Sequence, residues 1–389
     1  MKFNMYMPTR TLFGPGKLNS LHKQVLPGKK AMIVISNGKS TRSNGYLTRL
    51  EEQLKLAGVE TAVFDRVEAN PLKSTVLAGA TFSRENKCDF LVALGGGSVM
   101  DASKVISFMA TNDGDVWDYV QGGSGKALPV QKSPLPLVAI TTTAGTGSEV
   151  DQFGVITNEE TNEKIGIGGD ILFPVLSIVD PELMLSVPPK FTAYQGFDAL
   201  FHSIEGYISK AANPMSDMYA ITAIENIGKN LATCVQDGFD MEAREKVAFG
   251  NTLSGLVMVV GGLTSEHSLE HAMSAYHQEL PHGAGLTMIS RAYFTHFINK
   301  HVCDDRFIDM AKAMGMEDAK EAIDFITVLV KLQEDCGVDN LKMSDYGITE
   351  DEFDKIADNA LDTMGGLFTL DRVELTHDDS VAILADSYK

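Results

Sequence analysis

The chain has 389 residues, 44% hydrophobic and 22% charged, with mean hydropathy near zero; the length suits two domains, with enough apolar content for two sizeable cores. A formal net charge of −19 argues against nucleic-acid or anionic-membrane partners, which need basic patches. No segment approaches eighteen uninterrupted apolar residues, so no bilayer span is expected. The amino terminus lacks the long apolar run of a signal peptide. Cys88, Cys234, Cys303 and Cys336 are widely spaced with no CxxC, and read as reduced thiols of a cytoplasmic protein.

In chain order, Ala31–Ser36 is a short apolar run, hence a buried strand. Residues 46–56 have helical spacing and stop before Gly58; 59–64 read as a second strand and 72–86 as a helix. Phe90-Leu-Val-Ala-Leu94 is a third strand, ending in Gly95-Gly96-Gly97-Ser98, with a helix over 100–109. Leu137–Ile140 is a fourth strand, ending in a run of hydroxyls and glycines over 141–148. Strands without polar alternation, interleaved with helices, predict a Rossmann-like parallel sheet covered on both faces. Ligands bind such sheets at the carboxyl ends of the strands, where both glycine-rich turns fall. After residue 182 strand-like runs largely disappear. Segments 191–208, 214–234, 241–260, 305–314, 317–335 and 350–361 read as helices, with Gly238, Gly315 and Gly337 among their stops. The expected division is an α/β nucleotide-binding domain over 1–185 and an all-helical domain over 186–389.

The turn Gly95–Ser98 follows a buried strand and opens a helix, so its backbone N–H groups can approach a phosphate at a helix N-terminus. A plain tight turn is the other reading. Four threonines and a serine within 141–148 suit hydrogen bonding to a sugar or pyrophosphate. Neither turn matches GxGxxG or the nucleotide-kinase signature.

Of nine histidines, four fall between His267 and His282. His267 and His271 are four apart and share one face of a helix, which Pro281 cannot continue. Upstream, Asp198-Ala-Leu-Phe-His202 places a carboxylate and an imidazole at the same spacing. Each pair is a half-site for a divalent metal, and both are embedded in apolar helical sequence, where such groups are costly unless paired or coordinated. Helix geometry alone pairs His267 with His271.

Gly95-Gly-Gly-Ser-Val-Met-Asp101, Thr142-Thr-Ala-Gly-Thr-Gly-Ser-Glu149, Asp198…His202, His267…Glu270-His271-Ala272 and Pro281-His282-Gly283 follow one another in an order that resembles the iron-containing (group III) alcohol dehydrogenases. Pro8-Thr9-Arg10, Phe13-Gly14-Pro15-Gly16 and Asn70-Pro71 fit as well, so the likeness spans nearly the whole chain. It implies a dehydroquinate synthase-like pair of domains, with metal and nicotinamide meeting in the cleft between them, and a homodimer or higher homo-oligomer. By the same resemblance the metal ligands are Asp198, His202, His267 and His282, and His271 lies beside nicotinamide and substrate. The interval from His267 to His282 is fifteen where fourteen is usual, which leaves His277 as the alternative ligand. The Pro-His-Gly context favours His282. Cofactor contacts are implied at Asn37, Gly38, Asn70, Gly95, Gly96, Gly97, Ser98, Asp101, Thr142, Thr143, Thr146 and Lys164.

The expected activity is hydride transfer between NAD(P) and a small primary alcohol, diol or aldehyde. Fe(II) is the expected metal and Zn(II) the alternative; it would act as a Lewis acid on the substrate oxygen. His271 is either a proton relay or a partner orienting a ligand. Phe153, Phe201 and Phe368 are candidates for pocket walls. No carboxylate occurs from Ser36 to Leu50, where NAD-preferring relatives carry an aspartate, and Lys39 and Arg42 could pair with a 2′-phosphate; NADP as well as NAD is therefore expected. The same architecture also serves glycerol dehydrogenases and 3-dehydroquinate synthase. The latter is a lyase that needs several basic residues for a phosphorylated acid, and no such cluster lies near 198–282.

Overall fold

The apolar runs of the first half assemble into one sheet. In a computed structural model, which describes residues 3–389, the chain forms β1 (Arg10–Phe13), β2 (Lys30–Ser36), α1 (Ser40–Ser43), α2 (Tyr46–Leu56), β3 (Glu60–Val67), α3 (Lys73–Glu85), β4 (Phe90–Gly95), α4 (Gly97–Met109) and β5 (Leu137–Thr141). A hairpin of β6 (Phe153–Asn158) and β7 (Glu163–Gly168) follows, then β8 (Leu176–Val179). Six strands form a wholly parallel sheet in the order β1-β8-β5-β4-β2-β3; β6 and β7 pair antiparallel by themselves.

Alternate side chains of β2 and β4 feed two cores. Met32, Val34, Leu91 and Ala93 join residues of α3 and α4 in one, while Ile33, Ile35, Val92 and Leu94 join α2 in the other. Burial on both faces is why these strands read as unbroken apolar runs. The chain turns outward from β2 to β3 and the other way from β4 to β5, so the topological switch lies between β2 and β4.

Three features escape the apolar-run reading. β1 and β8 are only four residues long, β1 begins Arg-Thr, and β8 carries Ser177. The β6–β7 hairpin holds polar residues through its register, including Thr157 opposite Lys164. Helix α4 begins at Gly97, three residues before Met100, because the glycine turn runs straight into it.

The remainder is helical: α5 (Pro189–Ile208), α6 (Pro214–Gln236), α7 (Met241–Gly261), α8 (Ser265–Tyr276), α9 (His282–Asn299), α10 (Asp304–Ala313), α11 (Asp324–Asp335), α12 (Phe353–Phe368) and α13 (His377–Ser387). Asn213 caps α6 reciprocally with Ser216, and Pro214 fills the first helical position, where no N–H is needed. The expected helix over 317–335 starts only at Asp324, and α9 and α13 are additional helices. The core holds Phe197, Phe201, Phe294, Phe307 and Phe325. Phe201, expected as a pocket wall, is wholly buried between the rings of Phe197 and Phe294. Among the described residues no single helix is long and apolar enough to cross a membrane.

Two compact units are distinguishable. Tyr6–Thr143 with Ser148–Ser186 form one; Val187–Lys389 with Ala144–Gly147 make up most of the other.

Candidate metal centre

Helix α5 carries Asp198, His202 and Glu205 at i, i+4 and i+7, and so on one face. Helix α8 carries His267, Glu270 and His271, and ends at Tyr276 with His277 as its cap. The amide of Leu280 donates to the His277 carbonyl at 2.9 Å, closing a turn, and after Pro281 the next helix starts with His282. Gly283 belongs to the first turn of α9 rather than to a free turn. A Cβ there would lie 2.0 Å from the Tyr194 carbonyl oxygen, so only glycine lets α9 approach α5 this closely.

Three imidazoles converge on one carboxylate oxygen. Asp198 Oδ1 stands 3.4 Å from His202 Nδ1, 3.6 Å from His267 Nε2 and 3.5 Å from His282 Nε2. These separations are too long for good hydrogen bonds. Asp198 Oδ1, His202 Nδ1 and His267 Nε2 are buried and have no hydrogen-bond partner among the described residues. A buried polar atom without a partner is costly. Ligands bonded at about 2.1 Å in a tetrahedral arrangement stand about 3.4 Å apart, so the spacing and the donor types both suit a divalent cation. The His202 and His267 rings stack with centroids 4.2 Å apart, and His282 lies 5.3 Å from His267.

Burial pushes the Asp198 carboxyl up, but the neighbouring charges of His202, His282 and His267 outweigh it and hold it down at about 2. Burial and the charge of His267 lower His202 to about 4. Burial also disfavours charge on His267, yet Glu205 and Asp198 together raise it to about 10. The group is thus organised around negative charge on Asp198 and Glu205, with an imidazole between them.

Two further carboxylates lie behind the imidazoles. Glu205 Oε1 accepts from His267 Nδ1, and Glu270 Oε2 accepts from His282 Nδ1; both glutamates are fully buried. Glu205 Oε2 also accepts from the backbone N–H and hydroxyl of Thr264, at 3.1 and 3.0 Å. His271 is nearly buried, 5.2 Å ring to ring from His282, and its Nδ1 lies 2.8 Å from Met364 Sδ. Met364 breaks the helical backbone inside α12 (φ −129°, ψ 32°). His277 is held differently: its Nε2 pairs with Glu352 at 3.1 Å. Glu205, Glu270 and Met364 were not singled out from sequence. Glu205 shares a face of α5 with Asp198 at i+7, but that spacing alone does not mark it as buried, and Glu270 carries no local signal.

The nucleotide candidates mostly follow strand ends of the parallel sheet. Asn37 and Gly38 follow β2 and are exposed; Asn70, in the left-handed region at φ 51°, follows β3. Gly95 ends β4, Gly96 caps α4, and Gly97 and Ser98 open that helix. Thr142 donates its N–H to the Gly95 carbonyl at 3.0 Å, and Thr143 follows it. A Cβ on Gly96 would lie 2.9 Å from the Thr143 side chain, so that turn needs glycine. Thr146 belongs to the segment grouped with the helical unit. Lys164 is buried on β7. Asp101 accepts from Ser148 Oγ at 2.6 Å and from the Val155 N–H at 3.1 Å, so both its oxygens serve the fold; burial raises its carboxyl to about 6. Lys104, fully buried, binds Ser148, Asp151 and the Phe153 carbonyl at 2.6–2.7 Å.

A parallel nucleotide-type sheet and a buried carboxylate–imidazole cluster together define the class. Residues 8–181 match the family model described as iron-containing alcohol dehydrogenase, and residues 192–388 match that of the C-terminal part of the same family. The chain belongs to the iron-containing alcohol dehydrogenases and is an oxidoreductase of alcohols. It is 35% identical over 370 residues to a 1,3-propanediol dehydrogenase of Klebsiella pneumoniae, covering 92% of each chain. It is 32% identical over 375 residues to an NAD-dependent methanol dehydrogenase of Bacillus methanolicus, covering 92% of this chain and 93% of that one. Among solved structures, an archaeal halo-thermophilic alcohol dehydrogenase from a Red Sea brine pool superposes with a TM-score of 0.94 at 33% identity, covering 100% and 99% of the two chains.

Proposed function

We propose that this alcohol dehydrogenase holds one Fe(II) ion through Asp198, His202, His267 and His282 and oxidises small primary alcohols or diols, or reduces their aldehydes, with NAD(H) or NADP(H). The carrying observation is the convergence of three buried atoms lacking hydrogen-bond partners, Asp198 Oδ1, His202 Nδ1 and His267 Nε2, with His282 Nε2 at 3.5 Å from the same oxygen. One carboxylate and three imidazoles also suit Zn(II), and selection between the two rests on availability. When bound, the metal supplies Lewis acidity toward the substrate oxygen.

The residues of the chain do the rest. Asp198 contributes the negative charge, and the three imidazoles supply neutral donors. His271, beside His282 and one turn on from His267 along α8, is assigned the proton exchange with the substrate hydroxyl. The turns at Asn37–Gly38, Gly95–Ser98 and Thr142–Thr143, with Asn70, Thr146 and Lys164, are assigned to the dinucleotide; both oxygens of Asp101 are already engaged, by Ser148 and the Val155 N–H. The relatives that act on propanediol and methanol support a small, unbranched substrate. A cytoplasmic homodimer or higher homo-oligomer completes the reading. The test is a panel of small alcohols and aldehydes with both coenzymes, on protein of known metal content. Absence of coenzyme-dependent turnover in Fe(II)- and Zn(II)-replete protein refutes it.

A further inference from the structure

The two imidazoles that reach Asp198 from α8 and α9 share an arrangement that His202 lacks. Each is gripped at Nδ1 by a fully buried carboxylate, His267 by Glu205 and His282 by Glu270, and each turns Nε2 toward Asp198 Oδ1. His202 instead presents Nδ1 to that oxygen, with its ring hydrogen-bonded to the Gly145 backbone. A carboxylate can only accept, so the proton must sit on Nδ1 of His267 and of His282. In the neutral ring that fixes the tautomer in which Nε2 keeps its lone pair, and it fixes the ring plane.

The supports are themselves anchored. Glu205 is pinned through its second oxygen by Thr264, the residue preceding α8. Glu270 sits against Gly285, where a Cβ would lie 2.7 Å from the glutamate side chain; a larger residue on α9 would displace it. A third buried acid, Glu266, is adjacent to His267 in sequence and equally inaccessible, but has no hydrogen bond to an imidazole: both its oxygens lack a hydrogen-bond partner among the described residues.

We infer that Glu205 and Glu270 are positioning residues that commit His267 and His282 to bind metal through Nε2, so that metal retention depends on these two acids and not on buried negative charge in general. The inference rests on the ligand set proposed above. Each glutamate raises the basicity of its imidazole and removes the freedom of the ring to rotate, and loss of such a partner ordinarily weakens metal affinity ten- to a hundredfold.

The experiment measures Zn(II) and Co(II) dissociation constants of metal-stripped protein by competition with a chromophoric chelator, together with the Co(II) visible spectrum. The variants are Glu205→Gln, Glu270→Gln, Glu266→Gln and His267→Ala, each first shown to be folded by circular dichroism. The expected result is a ten- to hundredfold rise in the dissociation constant for Glu205→Gln and for Glu270→Gln, with altered Co(II) bands. Glu266→Gln should stay within about threefold of wild type, being a similar charge change without a grip on a ring. Equal retention in wild type and both glutamate variants overturns the inference, as does an equal loss in Glu266→Gln. Wild-type protein that binds no metal, or His267→Ala that binds it normally, refutes the ligand set itself and the inference with it.

Discussion

His282 Nε2 lies 3.5 Å from Asp198 Oδ1, while His277, five residues earlier, gives its Nε2 to Glu352 at 3.1 Å. The helix break between them explains the difference. Residues 277–280 form the turn after α8, and only after Pro281 does the chain re-enter a helix, with His282 first. Replacing His282 by Ala should therefore abolish stoichiometric metal binding, whereas His277→Ala should keep it. Metal analysis of the two purified variants decides; full occupancy in His282→Ala would transfer the ligand role elsewhere.

His271 is expected to make a separable contribution. Its Nδ1 faces the thioether of Met364, a weak acceptor, at 2.8 Å. His271→Gln is expected to retain metal and to lower kcat by about a hundredfold or more, the usual range for a lost proton-transfer group. Its pH–rate profile should lose one limb. If kcat is unchanged and only metal content falls, His271 orients a ligand and does not carry the proton.

How much of this was readable in the sequence differs by element. Tyr46–Leu56 was read with its observed bounds, because an amphipathic helix between Gly45 and Gly58 has both its period and its stops in the sequence. The strands β2, β4 and β5 were equally legible, since burial on both faces leaves a continuous apolar run. β1 and β8 were not: four residues with polar members carry no period, and their pairing depends on partners far away in the chain. At the site, spacing alone joined His267 to His271. It gave no account of His282, whose approach to Asp198 depends on the contact of Gly283 with Tyr194. Glu205 and Glu270 stayed hidden because a lone glutamate in a helix usually faces water, and nothing local shows that these two are buried.

The contact at Gly283 carries a stability prediction. Gly283→Ala brings a methyl group against the Tyr194 carbonyl, backbone that cannot rotate away. Overpacking of this kind costs about 1–3 kcal/mol, and the displaced residue is next to His282. A lowered thermal midpoint together with weakened metal binding is expected. A fully stable, fully metallated variant would mean that α9 shifts at no cost.

Asp371 supplies a pH dependence away from the ligands. It is wholly buried, and burial raises its carboxyl to about 7; it accepts from the Ser265 N–H at 3.1 Å, the Ser265 hydroxyl at 2.7 Å and Tyr293 Oη at 3.2 Å, with Glu205 opposing its charge. Tyr293, pushed well above its usual range, stays neutral. An unfolded aspartate titrates near 3.9. Between those values the native state binds more protons than the unfolded state, so this contribution is fully present below about pH 4 and is lost as pH rises through about 7. Its limiting slope is about 1.4 kcal/mol per pH unit. Asp371→Asn should flatten that part of the stability profile between pH 5 and 8, as followed by denaturant unfolding. An unaltered slope would show that Asp371 is ionised throughout.

Coenzyme choice is expected to turn on a pair that the sequence kept apart. No carboxylate occurs from Ser36 to Leu50, but the neighbouring strand brings one: Arg42 Nη2 lies 2.7 Å from Asp65 Oδ2, with both side chains about half exposed. Lys39 is exposed and immediately precedes α1. An exposed ion pair is worth at most about 1 kcal/mol, so Arg42 can exchange Asp65 for a phosphate at little cost, while Asp65 remains as a source of repulsion. Wild-type protein should therefore accept both NADH and NADPH. Asp65→Asn frees the guanidinium and removes the repulsion, and is expected to move the kcat/KM ratio toward NADPH by about tenfold, the equivalent of about 1.4 kcal/mol. Arg42→Ala should move it toward NADH, and Asn37→Asp should do so more strongly by restoring a carboxylate beside the end of β2. The measurement is kcat/KM for both coenzymes in the four proteins. If the ratio is the same in all of them, neither the Arg42–Asp65 pair nor the turn after β2 faces the adenosine ribose.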